Sequence, residues 1–386
     1  MRIGIDNIAP GESTSRSGPG GMRAYLRSLL EGFATQAPQH QYVLFTPDWA
    51  DPLLDELPPN VQVVELPGVP RSRIKRIIYQ QTALPVVINR QRLDAFFATA
   101  TIAPLACRAP VVLAVQFTQF YQWPTAYGRF RTAYLKLMLP LSLCKARQAI
   151  IFTESSKKDL VQWTGVTPTK IHVVPHGLSP ETWRAASLPS DAPEYAVGVS
   201  LTDGKPYILY VSATYGYKNH DCLIRAFGIL KQRRSIPHVL LLVGSEVTVS
   251  FASLQTIAAD AGVADSVIFA GRLESHDHVI ATHLGATMAV VPTLYETFGF
   301  PVLEAMACGC PLVTTNYGSM AELSGDAAVL VDPLNPESIA DGMERMIADE
   351  SFRQHLARRG RQIAHEYTYA RCAAQTLSIL EGVARA

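Results

Sequence analysis

Two carboxylates, Glu296 and Glu304, stand eight residues apart in the string ETFGFPVLEAMACGCP. An ionised carboxylate only accepts hydrogen bonds, so a pair at this spacing can grip the hydroxyls of a sugar or a ribose and would not be expected to touch phosphate. A phosphate calls for cations and open N–H groups. Lys218 offers the cation: an ammonium about 4 Å from a phosphate is worth about 1–4 kcal/mol, depending on burial. Gly20 and Gly21 offer the amides, because consecutive glycines ahead of a helix let backbone N–H groups approach an anion with no Cβ in the way. Plainer readings stand beside each of these: two solvated acids near a helix start, a solvated lysine, a flexible Gly-Gly turn. His176, alone in VPHG, reads equally as a site residue or as a structural histidine.

The elements around the acid pair are legible from pattern. Residues 287–292 (TMAVVP) read as a buried strand, 293–300 as a loop carrying Glu296, Phe298 and Gly299, and Pro301 as the first residue of a helix. That start puts Glu304 in the first helical turn. Gly309 then ends the helix and residues 311–315 form the next parallel strand, giving a βαβ unit whose loop and helix N-terminus point at the carboxyl edge of a sheet. The N-terminus of such a helix carries about half a positive charge.

Strand-like and helix-like segments alternate along the whole chain. Strands are expected at 2–5, 42–45, 61–64, 95–97 and 111–115, with a helix over 21–36, so the first lobe is α/β and runs over 1–190. Residues 181–205, rich in Pro, Ser, Ala and Asp, read as a linker. A second α/β lobe, 206–365, carries strands at 207–211, 238–243 and 266–270 and closes with helices near 336–348 and 351–365, before a last helix at about 369–384. The fold class expected is therefore two Rossmann-like doubly wound domains.

At 386 residues, 48% hydrophobic and 17% charged, the chain can bury two sizeable cores. No run of 18 or more uncharged apolar residues is present, and the start reads as a strand in place of a signal sequence, so the expected compartment is the cytosol. Six scattered cysteines read as reduced core residues. A net charge of +1 conceals a skew, for between Leu66 and Thr153 twelve Lys or Arg face a single acid, Asp94. Aromatics from Phe117 to Tyr134 interleave with the second half of that segment. An anionic membrane surface, met by 71–147 at the inner face of the membrane, or a polyanionic acceptor fits it; charges dispersed around a solvated lobe fit it too. Nucleic acid is not indicated, because no binding motif accompanies the charge.

The string from Val290 to Asn316 closely resembles the paired-acid segment of the retaining GT-B glycosyltransferases of family 4. Further matches lie at the opening MRIGID, Gly20-Gly21, FTESSKKDL (152–160), KIHVVPHGL (170–178), YILYVSATYGYKN (207–219) and SGDAAVLVDP (324–333), so the resemblance covers nearly the whole length. It implies two lobes facing a cleft, with the last helix, within 366–386, crossing back onto the first lobe. It implies that Glu296 lies by the donor sugar and Glu304 holds the nucleotide ribose. It sets Gly20 and Gly21 at the donor diphosphate and His176 at the cleft, and it adds Phe298 and Gly299 to the donor contacts. In many relatives an Arg ends the strand before Lys218; here Ser212, Ala213 and Thr214 stand there, so Lys218 must carry more phosphate charge, or Arg272 assists. Many relatives also have a His-Asp pair where this chain has Gln116-Phe117. Gln116 can still bond a sugar hydroxyl but cannot take a proton near pH 7.

The resemblance thus implies a hexosyltransferase that uses a nucleotide-sugar donor, GDP-mannose being the first expectation from the mannosyltransferase-like MRIGID and KPYILYVSATYGYKNHD. The acceptor expected is a glycan or lipid-linked sugar of surface polysaccharide assembly. No cofactor is expected, and no metal either, since no Asp-x-Asp occurs in the chain. Two rival functions remain open at this point: a nucleotide-sugar epimerase on the same scaffold, and a two-lobed sugar-binding protein.

Overall fold

The computed structural model describes residues 1–8, 21–49, 57–189, 192 and 196–385. The chain divides into two α/β units, one formed by Met1–Gly177 with Thr368–Ala386 and the other by Leu178–Tyr367.

In the first unit the elements are β1 (Arg2–Asp6), α1 (Gly21–Gln36), β2 (Gln41–Pro47), β3 (Val61–Leu66), α2 (Arg73–Gln81), α3 (Ala83–Asn89), β4 (Ala95–Ala98), β5 (Val111–Ala114), α4 (Arg129–Lys145), β6 (Gln148–Ile151), α5 (Glu154–Thr164) and β7 (Ile171–Val173). The strands lie parallel in the order β3-β2-β1-β4-β5-β6-β7. Interior strands of such a sheet are covered on both faces, which is why AFFA and VVLA are unbroken apolar runs in place of alternating ones. Chain order reverses between β1 and β4, so a crevice is expected beyond their carboxyl ends, at Asp6 and Ala98.

The second unit holds α6 (Pro180–Ala185), α7 (Ala196–Leu201), β8 (Tyr207–Val211), α8 (His220–Arg233), β9 (Val239–Val243), α9 (Phe251–Asp260), β10 (Val267–Gly271), α10 (His276–Leu284), β11 (Met288–Val291), α11 (Phe300–Ala307), β12 (Leu312–Thr315), α12 (Gly318–Ser324), β13 (Ala328–Val331), α13 (Pro336–Ala348) and α14 (Glu350–Ala364). Its parallel sheet runs β10-β9-β8-β11-β12-β13. Here the order reverses between β8 and β11. The two loops that leave those strands, toward Lys218 and toward Glu296, therefore flank the switch point.

The last helix, α15 (Tyr369–Arg385), belongs to the first unit. It lies on α1: Gln36 Nε2 donates to the Ala370 carbonyl at 2.9 Å, and His40 Nε2 stands 2.8 Å from Glu381 Oε1. Contact is close enough that a Cβ on Gly32 would meet Ala373 Cβ at 2.5 Å. The helix expected to cross back does so.

The linker expected over 181–205 is corrected. Residues from Leu178 onward belong to the second unit, and the segment contains α6 and α7. Its small residues serve packing: a Cβ on Gly198 of α7 would meet the Tyr207 hydroxyl at 1.9 Å, and that hydroxyl donates to the Thr282 carbonyl at 2.7 Å. The chain enters and leaves this unit at one place, for Leu178 N donates to the Tyr367 carbonyl at 3.0 Å. Five of the cysteines are buried as expected, but Cys144 on α4 is exposed.

Candidate active site

Lys218 and Glu296 are brought together at the switch point of the second unit. After β8 the chain makes a tight turn, Gly216–Lys218, and Asn219 takes a left-handed conformation (φ 64°) to enter α8. Three sets of bonds fix this turn to the chain around it. The Tyr210 hydroxyl donates to the Lys218 carbonyl at 2.8 Å, Leu294 N donates to the Tyr217 carbonyl at 2.8 Å, and Asn219 Nδ2 donates to the carbonyls of Pro292 at 3.0 Å and Pro333 at 2.7 Å. On that platform Lys218 Nζ donates to Glu296 Oε1, each side chain being 13% exposed. The Glu296 backbone is held as well, since its carbonyl accepts from Ser319 Oγ at 2.9 Å.

This pairing changes the expected division of labour. From sequence the lysine belongs to the diphosphate and the acid to the sugar as separate contacts; in the structure they form one ion pair. An ammonium has three donors, so one directed at Glu296 leaves others for a phosphate oxygen. The carboxylate correspondingly fixes where the cation stands.

Gly299 opens α11 with φ +127°, a conformation that side chains rarely adopt, and a Cβ there would meet Met320 Cε at 2.1 Å. The loop can turn into the helix only through glycine. Pro301 sits inside the first turn, but the helix begins one residue earlier than expected, at Phe300, so Glu304 stands in the second turn. Phe298 is buried, its ring edge-on to Phe300 at 5.2 Å and near Tyr367 at 6.3 Å. Its side chain anchors the loop in the core.

Glu304 is buried, and burial raises its carboxyl above the ordinary range, opposed by the charge of His276. His276 Nε2 lies 3.6 Å from Glu304 Oε1 and 3.4 Å from Thr182 Oγ1. That histidine is the first residue of α10, behind the capping Ser275, whose hydroxyl accepts from His278 N at 3.1 Å. Sequence reasoning missed His276. The only local signal is the capping serine in SHDH, which marks a helix start but not a partner 28 residues away. Arg272 follows Gly271 (φ +66°) at the carboxyl end of β10, two strands from β8 on the same sheet edge.

In the first unit Gln116 follows β5, and its backbone N donates to Thr101 Oγ1 at 3.1 Å. Its side chain is directed at the buried Tyr25 hydroxyl on α1, with which it interacts. His176 is buried, stacked on Phe152 at 3.7 Å and edge-on to Tyr25 at 4.6 Å. Burial pushes its imidazole down to about 3, so it stays neutral. Gly21 opens α1, while Gly20 lies outside the described residues. A residue not anticipated from sequence is Asp6, wholly buried at the end of β1, where desolvation lifts the carboxyl to about 6. Its Oδ1 accepts from Ile8 N at 2.8 Å, and its Oδ2 has no partner among the described residues.

Among the described residues no group of three or more His, Cys, Asp or Glu is arranged to hold a metal ion, and no helix is long and apolar enough to cross a membrane.

Comparison with known proteins places these features. Residues 193–363 match the family described as glycosyl transferases group 1, and residues 19–182 match glycosyltransferase family 4. The chain is similar to a D-inositol 3-phosphate glycosyltransferase of Paenarthrobacter aurescens, 24% identical over 96% of this chain and 95% of that one. It is also similar to O-antigen chain mannosyltransferase B of Escherichia coli, 29% identical over 45% of each chain. In fold it resembles the sucrose-phosphate synthase of Thermosynechococcus elongatus, with a TM-score of 0.76, 20% identity and 99% of each chain covered.

Proposed function

We propose that this chain, which belongs to the family 4 glycosyltransferases of GT-B fold, moves a hexose from a nucleotide diphosphate sugar to a glycan or lipid-linked acceptor with retention at the anomeric carbon. The observation that carries the reading is the Lys218–Glu296 pair at the switch point, with Glu304 on the helix that follows.

The donor diphosphate would lie at the Gly299 end of α11 with Lys218 beside it. As the bond between C1 and the diphosphate oxygen breaks, charge grows on that oxygen, and the ammonium favours this more than it favours the intact donor. Glu296 would accept bonds from sugar hydroxyls and Glu304 from the ribose. The acceptor hydroxyl attacks C1 on the face the diphosphate leaves, and its proton passes to the departing phosphate oxygen, so the protein need supply no base. Gln116 suits this account, because a neutral amide can hold a hydroxyl but takes no proton. Lys218 and the α11 dipole would do the work that a bridging metal does where an Asp-x-Asp holds one; this sequence contains no such motif.

GDP-mannose is the donor we assign, supported by the likeness to an O-antigen mannosyltransferase. The assignment is tested by thermal shift against GDP, UDP and ADP, followed by NMR of the product. Selective stabilisation by GDP and an α product from an α donor are expected. An inverted anomer would overturn retention, and stabilisation by UDP or ADP alone would overturn the donor.

A further inference from the structure

Half of the twelve large hydrophobic side chains exposed among the described residues lie within 74–141: Ile74, Ile78, Val86, Phe130, Leu137 and Leu141. Phe130 is 95% exposed and Ile74 73%. On α4 the outward positions include Phe130, Ala133, Leu137 and Leu141, recurring at helical spacing, while Leu135, Met138, Leu139 and Leu143 fill the core side. A surface helix ordinarily turns mostly polar side chains outward; this one sets an apolar stripe there, beside Arg129 and Lys136. On α2, Ile74 and Ile78 stand four residues apart and face solvent in the same way.

The two helices are tied to one loop. Gln80 Nε2 and Gln81 Nε2 at the end of α2 donate to the carbonyls of Ile102 and Ala103 at 3.0 and 3.1 Å, and Ala103 N donates to Ser142 Oγ on α4 at 3.1 Å. Around the stripes Arg71, Lys75, Arg90, Arg129, Lys136 and Arg147 are exposed. No acid occurs between Asp94 and Glu154. A second copy of the chain seated on this face would bring the same cations against it, so charge argues against self-association. Nucleic acid would use the cations and leave the aliphatic stripes in water. A bilayer surface rich in anionic headgroups uses both, with cations at the phosphates and Phe130, Leu137 and Leu141 in the acyl boundary.

We propose that α4 and α2 form a docking face for an anionic phospholipid surface. It stands independently of the donor and acceptor assigned above, since the test contains no sugar nucleotide. The full chain is floated with phosphatidylcholine vesicles and with vesicles containing about a third phosphatidylglycerol, at low and high salt. Binding only to the anionic vesicles, weakened by salt, is expected, each cation contributing about fivefold to partitioning. F130S/L137S should lower it about tenfold or more and R129E/K136E at least as much, while both variants keep the parent circular dichroism and melting temperature. Absence of binding to anionic vesicles would overturn the proposal. So would binding that salt abolishes but F130S/L137S leaves unchanged, because no apolar face would then be seated. Concentration-dependent dimerisation, lost in F130S/L137S without vesicle binding, would assign the face to a second copy.

Discussion

Breaking the Lys218–Glu296 pair should cost stability in a way that breaking a surface pair would not. Each side chain is 13% exposed, so either variant, K218M or E296Q, strands a largely buried charge or its partner. Removing one member of a fully buried pair costs about 3–5 kcal/mol, whereas an exposed pair contributes about 0–1 kcal/mol. Water reaches this pair at its edge, which brings the expected cost to about 2–3 kcal/mol. For a unit the size of Leu178–Tyr367 that lowers its melting transition by about 4–12 °C, read by scanning calorimetry on the full chain. The double variant removes both charges, so its cost should fall short of the sum by at least about 1 kcal/mol. Turnover should behave differently. Both groups meet the donor in the mechanism proposed, so the double variant should stay as inactive as the worse single one. Single costs that add to within about 0.5 kcal/mol would refute the claim that the two groups act as a unit, and recovered turnover in the double would refute the catalytic roles.

E304Q should weaken nucleotide binding about ten- to a hundredfold by titration calorimetry, the loss of a bond to a charged acceptor; an unchanged Kd would take Glu304 off the ribose. His283 is wholly buried and held down to about 4 by desolvation, so its contribution to stability is present above its unfolded value near 6.5 and is lost as pH falls toward 4. That is about 3 kcal/mol across the interval, and urea midpoints of H283N should fall less steeply between pH 6.5 and 4 than those of the parent; parallel slopes would clear His283 of the effect. G177A sets a Cβ 2.1 Å from Tyr369 N and 2.2 Å from the Thr368 carbonyl carbon, both backbone, and should destabilise by about 3 kcal/mol or more in denaturant; parent-like stability would mean this junction yields freely.

What could be read from the residues alone was what short-range pattern decides. The strand, loop, helix and strand spanning Met288–Thr315 are punctuated by Gly299, Pro301 and Gly309, and a one-residue error in the helix start was enough to move Glu304 by a turn. The Lys218–Glu296 contact joins residues 78 apart and follows from the strand order, which brings β8 beside β11. His276 escaped notice because its partner is decided by how α10 meets α11, and no spacing records that. His176 offers two readings from sequence, and no spacing around it reports the rings of Tyr25 and Phe152 that stand beside it. The string RFRTAYLKLMLPLSLCK carries apolar residues on every side of the helix, so it could not reveal which stripe the sheet would cover and which would face outward.

The adjacency of Leu178 and Tyr367 makes the second unit a parenthesis within the first, and this sets an order of events at the ribosome. Residues 178–367 emerge whole before α15 exists, so the second unit can finish folding while Gly32 and Gln36 on α1, and His40 just after it, still await their cover. Nascent chains usually settle from the amino end. Here the amino-terminal half should complete itself last, and a chain stopped at Tyr367 should yield a competent second unit beside an unfinished first.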